Sequence, residues 1–159
     1  MCIVTLSQFI VTSNECIVTV SRFIATCDSW FVNDEMKTFS FEKLEVYVEA
    51  RKLVSDIYGL SRQFPNDEMF ALINQIRRAA VSITSNIAEG TSRSSKKDKA
   101  HFVEIAYGSL MEVVSQLQIA VDLNYITVQQ YEDLLPKIEL VSFKLFALRR
   151  SYTEIENKN

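Results

Sequence analysis

Apolar residues recur alternately three and four positions apart along most of residues 46–155. This spacing returns a side chain to the same side of an α-helix once per turn, so it predicts helices that each carry one apolar stripe. The chain has 159 residues but only 3 Gly and 2 Pro, too few for the many turns of an all-β protein. The sequence therefore predicts an all-α fold.

The first two helices are bounded by residues that begin or end helices. Helix 1 is predicted over residues 41–63 and ends before Pro65, because the residue before a proline avoids the helical region. Asn66 or Asp67 is predicted to cap helix 2 with its short polar side chain. Gly90 is predicted to end that helix in the left-handed conformation.

Similar signals bound the last two helices. Ser95 is predicted to cap helix 3, and Asn124 to end it. Thr127 with Gln130 forms a capping-box pattern at the start of helix 4. Pro136 lies inside this helix and is expected to kink it or to delay its start.

Four apolar stripes joined by short loops predict an antiparallel up-down-up-down four-helix bundle over residues 38–156. The stripes consist of Val46, Ala50, Leu53, Ile57, Leu60 and Phe64; Met69, Ile73, Ile76, Ala80, Ile83 and Ile87; Val103, Ala106, Leu110, Val113, Leu117 and Ala120; and Tyr131, Leu134, Ile138, Val141, Leu145, Leu148, Tyr152 and Ile155.

Residues 1–37 are a different kind of sequence and are predicted to be an extension outside the core. Residues 2–12 (CIVTLSQFIVT) and 16–26 (CIVTVSRFIAT) repeat with a period of 14 and favour strand. Two interpretations stay open. The extension is an appendage without its own core, upstream of a natural start at Met36, or it is a strand that pairs with another chain.

The distribution of reactive side chains argues against a metal site, a cofactor or an enzyme. Cys2, Cys16 and Cys27 all precede the predicted bundle, and His101 is the only histidine. Structural zinc needs about four Cys or His ligands, and a serine hydrolase needs a base beside its nucleophile. No apolar run reaches the roughly 18 residues of a membrane span. We expect a cytoplasmic, non-enzymatic protein without a metal or cofactor.

Helix 3 carries more apolar residues than one buried stripe requires. Of residues 102–123, 14 of 22 are apolar, and a helix that is apolar on most sides is buried on most sides. A second chain is the natural cover in so small a bundle, so the sequence predicts a homo-oligomer. The predicted interface consists of Ser82, Ser85, Asn86, Ile105, Gly108, Met111 and Ile119.

Residues 77–99 contain six basic and two acidic residues. The basic residues are Arg77, Arg78, Arg93, Lys96, Lys97 and Lys99. Those on the loop and first turn of helix 3 could contact a phosphate backbone beside the positive end of the helix dipole. Alternatively, they form a solvated loop, with Arg77 or Arg78 paired across a subunit interface. No aromatic residue lies between Arg93 and Lys99, so this segment itself offers no ring for base stacking.

Three segments carry a family resemblance: FEKLEV at 41–46, QIRRAAVSITSNIAEG at 75–90 and FVEIAYGSL at 102–110. Over about residues 38–152 the chain resembles the four-helix-bundle family of the 23S ribosomal RNA intervening-sequence protein. That resemblance implies a homopentamer. A similar bundle is the accessory protein of diversity-generating retroelements, which binds nucleic acid and a reverse transcriptase.

Two functions from different classes are therefore expected. The first is a non-enzymatic nucleic-acid or ribonucleoprotein accessory factor that binds RNA or DNA through the basic residues. The alternative is a structural assembly module that binds a protein partner without nucleic acid.

Overall fold

A computed structural model describes residues 38–153, which hold four α-helices and no strand. The helices are α1 (Glu45–Leu60), α2 (Leu72–Ser92), α3 (Lys96–Asp122) and α4 (Val128–Thr153), with 3-10 turns at Ser40–Lys43, Ser61–Gln63 and Asn66–Phe70. The predicted extension with its repeat, and Ile155, lie outside the described residues.

The four helices pack around a square, with α1 against α2, α2 against α3, α3 against α4 and α4 against α1. Two ion pairs show how α4 runs beside α1. Lys137 Nζ lies 2.7 Å from Asp56 Oδ2, and Lys144 Nζ lies 2.5 Å from Glu45 Oε2. The two helices are antiparallel, because the earlier residue of one pairs with the later residue of the other. The predicted four-helix bundle is confirmed.

The predicted stripes form the core. The members that are almost inaccessible to solvent include Ile57, Ile83, Leu110 and Leu145, one from each helix. Met69 is the exception, since 45% of it is exposed. It lies in the Asn66–Phe70 turn, where the tighter 3-10 winding breaks the phase of the α-helical pattern.

The predicted cap of helix 2 is wrong. Neither Asn66 nor Asp67 caps an α-helix, because both lie in the 3-10 turn and α2 begins only at Leu72. The backbone N–H of Leu72 instead donates to Glu68 Oε2 at 3.1 Å. The other carboxylate oxygen of Glu68 accepts from the Tyr125 hydroxyl at 3.1 Å, which ties this turn to the end of α3.

The predicted left-handed Gly90 is also wrong. α2 continues to Ser92, and no glycine among the described residues has a positive φ. Gly90 is buried where α2 meets α3, and a Cβ there would lie 3.0 Å from Phe102 Cβ. The glycine therefore permits a close approach of two helices. Asn124 does adopt the left-handed conformation, at φ 58°, and α3 ends two residues earlier as expected.

The caps predicted for the other two helices are confirmed. Ser95 Oγ accepts from the backbone N–H of Asp98 at 3.0 Å. Thr127 and Gln130 form the reciprocal bonds of a capping box, at 2.9 and 3.2 Å. Pro136 lies within α4 and does not delay its start at Val128.

Candidate nucleic-acid interface

The structure divides the predicted basic residues between two ends of the bundle. Arg77 and Arg78 lie in the second turn of α2, whereas Arg93 follows its last residue. At a rise of about 1.5 Å per residue, this places the two groups about 24 Å apart along the helix. The six residues therefore do not form one patch.

The first group lies beside α1 and the groove between α2 and α3. Arg77 Nε donates to Ser61 Oγ at 2.8 Å, and its guanidinium carbon lies 5.0 Å from the centre of the Tyr58 ring. These contacts fasten the end of α1 to α2. Arg78 is exposed and lines a 440 Å³ groove that also contains Glu112.

The second group, which we call the basic end, comprises Arg93, Lys96, Lys97 and Lys99. Arg93 pairs with Glu89 and lies over the Phe102 ring, 4.6 Å from its centre. Lys96 and Lys97 are exposed. Within residues 38–153, no carboxylate lies within ion-pair distance of any of the three lysines. The lysines therefore leave a local positive charge uncompensated there.

Antiparallel packing brings a further cation to the basic end. Arg149, near the end of α4, bonds Glu104 Oε1 through Nε at 2.7 Å and through Nη2 at 2.6 Å. Lys99 Nζ lies 5.9 Å from the centre of the Tyr152 ring, also on α4. Arg149 was not among the predicted basic residues, because 45 residues separate it from Glu104. The predicted up-down topology could have indicated this contact, since it places the end of α4 beside the start of α3.

Two clefts run between α3 and α4 from this end. The basic cleft, of 380 Å³, is lined by Lys96, Lys97, Asp98, Ala100, His101, Glu104, Arg149, Tyr152 and Thr153. The aromatic cleft, of 330 Å³, is lined by Val103, Glu104, Tyr107, Leu145, Phe146 and Arg149. Glu104 and Arg149 belong to both, so the clefts meet at that ion pair. Partial burial raises the pKa of Tyr152 above its ordinary value.

The residues of the predicted oligomer interface fall into two sets. Ser82 and Asn86 already bond each other, at 3.0 Å, and Ser82 Oγ lies 2.9 Å from Ser109 Oγ within the same chain. The other five are exposed, namely Ser85, Ile105, Gly108, Met111 and Ile119. The exposed set leaves apolar surface of α3 uncovered in the single chain.

The chemically reactive groups of the described part are dispersed. His101 Nδ1 lies 3.9 Å from Glu104 Oε2 on the surface, and the Ser82 hydroxyl contacts Ser109 and Asn86. No three His, Cys, Asp or Glu side chains between residues 38 and 153 lie close enough to hold a metal ion. None of the helices in that range is both long and apolar enough to cross a membrane.

The comparisons agree with this architecture. The chain resembles the crystal structure of a protein with unknown function, from the S23 ribosomal protein family, of Bacteroides thetaiotaomicron VPI-5482. The two share 24% identity and a TM-score of 0.61, over 66% of this chain and 98% of that one, which shows the fold alone. A comparison with curated proteins found no match. The family model described as 23S rRNA-intervening sequence protein matches residues 42–147, and the chain therefore belongs to that family.

Proposed function

We propose that this protein is a self-associating, non-enzymatic accessory factor that binds RNA or DNA through its basic end. The observation that carries the proposal is that Lys96, Lys97 and Lys99 form no ion pair within residues 38–153 and outnumber Asp98, the one carboxylate of the same turn. Lys96 and Lys97 are exposed, and all three lysines lie in the first turn of α3. The partial positive charge of that helix terminus adds to theirs and favours a phosphate.

Self-association follows from the apolar surface that one bundle leaves uncovered. Ile105, Met111 and Ile119 are exposed on α3, and exposed apolar patches mark protein–protein interaction sites. A homo-oligomer, such as the homopentamer that the resemblance implies, would cover them and repeat the basic end in every subunit. We further propose a cytoplasmic complex in which a protein such as a reverse transcriptase is a partner.

Titration with labelled RNA and DNA tests the binding proposal. Fluorescence anisotropy over a salt series should show affinity that falls steeply with salt, because bound cations displace counterions from phosphates. The double variant K96E/K97E should weaken binding to both polymers and flatten the salt dependence. K52E/R62E changes the charge equally on α1 and the turn that follows it, so it is the matched control and should bind normally.

The result that contradicts this proposal is equally definite. Absence of binding at low salt, or equal loss in K96E/K97E and K52E/R62E, would show that the basic end is a solvated surface. The alternative function, a structural module that binds a protein partner without nucleic acid, would then be favoured. Exposed Phe143 and Phe146 on α4 are the specific observation that supports that alternative.

A further inference from the structure

The basic and aromatic clefts adjoin along α3 and α4, and we call the two together the α3–α4 groove. They share Glu104 and Arg149, whose ion pair forms the boundary between a lysine-lined part and a ring-lined part. Arg149 is paired with Glu104, whereas Lys96 and Lys97 form no ion pair within residues 38–153 and outnumber the one other carboxylate of the lining, Asp98. From the basic end onward, the groove therefore presents lysine ammonium groups first and aromatic rings second.

The rings of the second part are accessible from solvent. Phe146 is 61% exposed and Tyr107 is 43% exposed, and both line the aromatic cleft. Phe143, one turn before Phe146 on α4, is 72% exposed. None of these three rings packs on another aromatic ring within residues 38–153. By contrast, Phe102 at the basic end is already covered by Arg93.

Open aromatic faces, beside lysines that form no ion pair within the described part of the chain, match the bases and the phosphates of a single strand. Nucleic-acid bases stack on aromatic side chains in a sequence-tolerant way, while lysines follow the phosphates. In a duplex the base faces are stacked on one another, so they are presented to a protein only where the strand is unpaired. A groove with both features should therefore distinguish single strands from duplexes.

We propose that the α3–α4 groove binds single-stranded nucleic acid, with phosphates at Lys96 and Lys97 and a base stacked on Phe146. This inference rests on the proposed function and specifies the form of its ligand. Charge complementarity favours single-stranded nucleic acid over an apolar protein segment. Such a segment would cover the rings but would bring no negative charge to Lys96 and Lys97. The groove also has about the volume of ordinary ligand sites, roughly 300–1,000 Å³.

The experiment compares one labelled RNA strand of mixed sequence with the same strand annealed to its complement. The wild-type full chain should bind the single strand more tightly than the duplex. F146A should weaken single-strand binding about tenfold, as expected from about 1–3 kcal/mol per stacked base, and should leave duplex binding unchanged. F146W should retain single-strand binding because indole also stacks.

Phe70 provides the matched control, because it is 91% exposed and lies in the turn before α2, at the opposite end of the bundle. F70A should bind both ligands as the wild type does. Circular dichroism and light scattering on each variant separate loss of binding from loss of folding or assembly.

Each remaining outcome has a defined meaning. Equal affinity of the wild type for single strand and duplex, or equal binding by F146A and F70A, overturns the groove assignment. K96E/K97E would still lower both affinities in that case, so the proposed function would stand. Absence of any nucleic-acid binding removes both proposals. If F146A abolishes self-association but not strand binding, the groove is a protein interface and the inference is wrong.

Discussion

Ser82 Oγ and Ser109 Oγ lie 2.9 Å apart across the contact between α2 and α3. Ser109 also donates to the Ile105 carbonyl at 3.1 Å, so its hydroxyl accepts from Ser82. Ser82 Oγ in turn accepts from Asn86 Nδ2 at 3.0 Å. The bonds therefore run in one direction, and each hydroxyl both donates and accepts.

This chain of hydrogen bonds predicts coupled effects of mutation. S82A or S109A should each lower the free energy of unfolding by about 1 kcal/mol, because each removes the hydrogen bond that joins α2 to α3. The double variant S82A/S109A should cost clearly less than the two single losses added together, since both single variants lose the same bond. Urea unfolding of the four proteins measures the coupling. Simple additivity would show that the two hydroxyls act independently.

The glycines of α2 and α3 are predicted to respond oppositely to alanine. Gly108 lies inside α3 with no atom of the described chain within 4 Å of a Cβ built there. G108A should therefore raise the free energy of unfolding by about 0.5–1 kcal/mol through helix propensity. At Gly90 the new Cβ would meet Phe102 Cβ at 3.0 Å, so G90A should gain nothing or lose stability. Thermal unfolding monitored by circular dichroism gives both values.

The G108A substitution also tests where the subunits meet in the proposed homo-oligomer. If another subunit lies against this part of α3, the added methyl group should weaken self-association even though it stabilises the single bundle. An unchanged oligomer in G108A would exclude close subunit contact at that residue.

The oligomer itself is predicted from exposed Ile105 and Ile119. Multi-angle light scattering should show a species several times the 18.2 kDa chain mass at micromolar concentration. I105K/I119K places two charges on that surface and should shift the protein towards monomer without loss of helicity. The control V128K lies on an exposed apolar residue at the start of α4 and should leave the mass unchanged. A monomeric wild type would refute self-association.

The Glu68–Tyr125 bond predicts a pH effect. Its hydrogen bond to the Glu68 carboxylate raises the pKa of Tyr125, with burial adding to the effect. The stabilising contribution is therefore complete below the ordinary tyrosine pKa of about 10 and is lost as pH rises through the elevated value. E68A should lower the free energy of unfolding at neutral pH, because it removes the acceptor for both the Tyr125 hydroxyl and the Leu72 N–H.

Spectrophotometric titration tests the same pair. The component of the tyrosine absorbance change that disappears in Y125F belongs to Tyr125. E68Q should move that component to lower pH, because the neutral amide does not oppose a phenolate. An unshifted component in E68Q would contradict the assignment of the pKa change to Glu68.

The sequence predicted the helices and their buried sides, because both depend on spacing within about one turn. Met69 was wrongly predicted to be buried because a 3-10 turn interrupts that spacing, and no residue type in the segment indicated the turn. The predicted left-handed conformation of Gly90 was wrong because this glycine instead permits close packing against Phe102 on the next helix, which spacing within one helix does not show. The α3–α4 groove could not be predicted from the sequence for a related reason. His101 lies just beyond the lysines in sequence, but only the packing of α4 on α3 brings Arg149 and Tyr152 to them and Phe146 to the adjoining cleft.

The three-residue turn between α2 and α3 has a kinetic consequence. It joins two long helices whose contact between Ser82 and Ser109 spans 27 residues, against 81 and 99 for the α1–α4 ion pairs, so the chain-closure entropy is smaller. Local contacts of this kind form early, whereas α4 must close a much longer loop to reach α1. The α2–α3 hairpin should therefore be the folding nucleus and show the slowest amide hydrogen exchange, with α1 and α4 opening first.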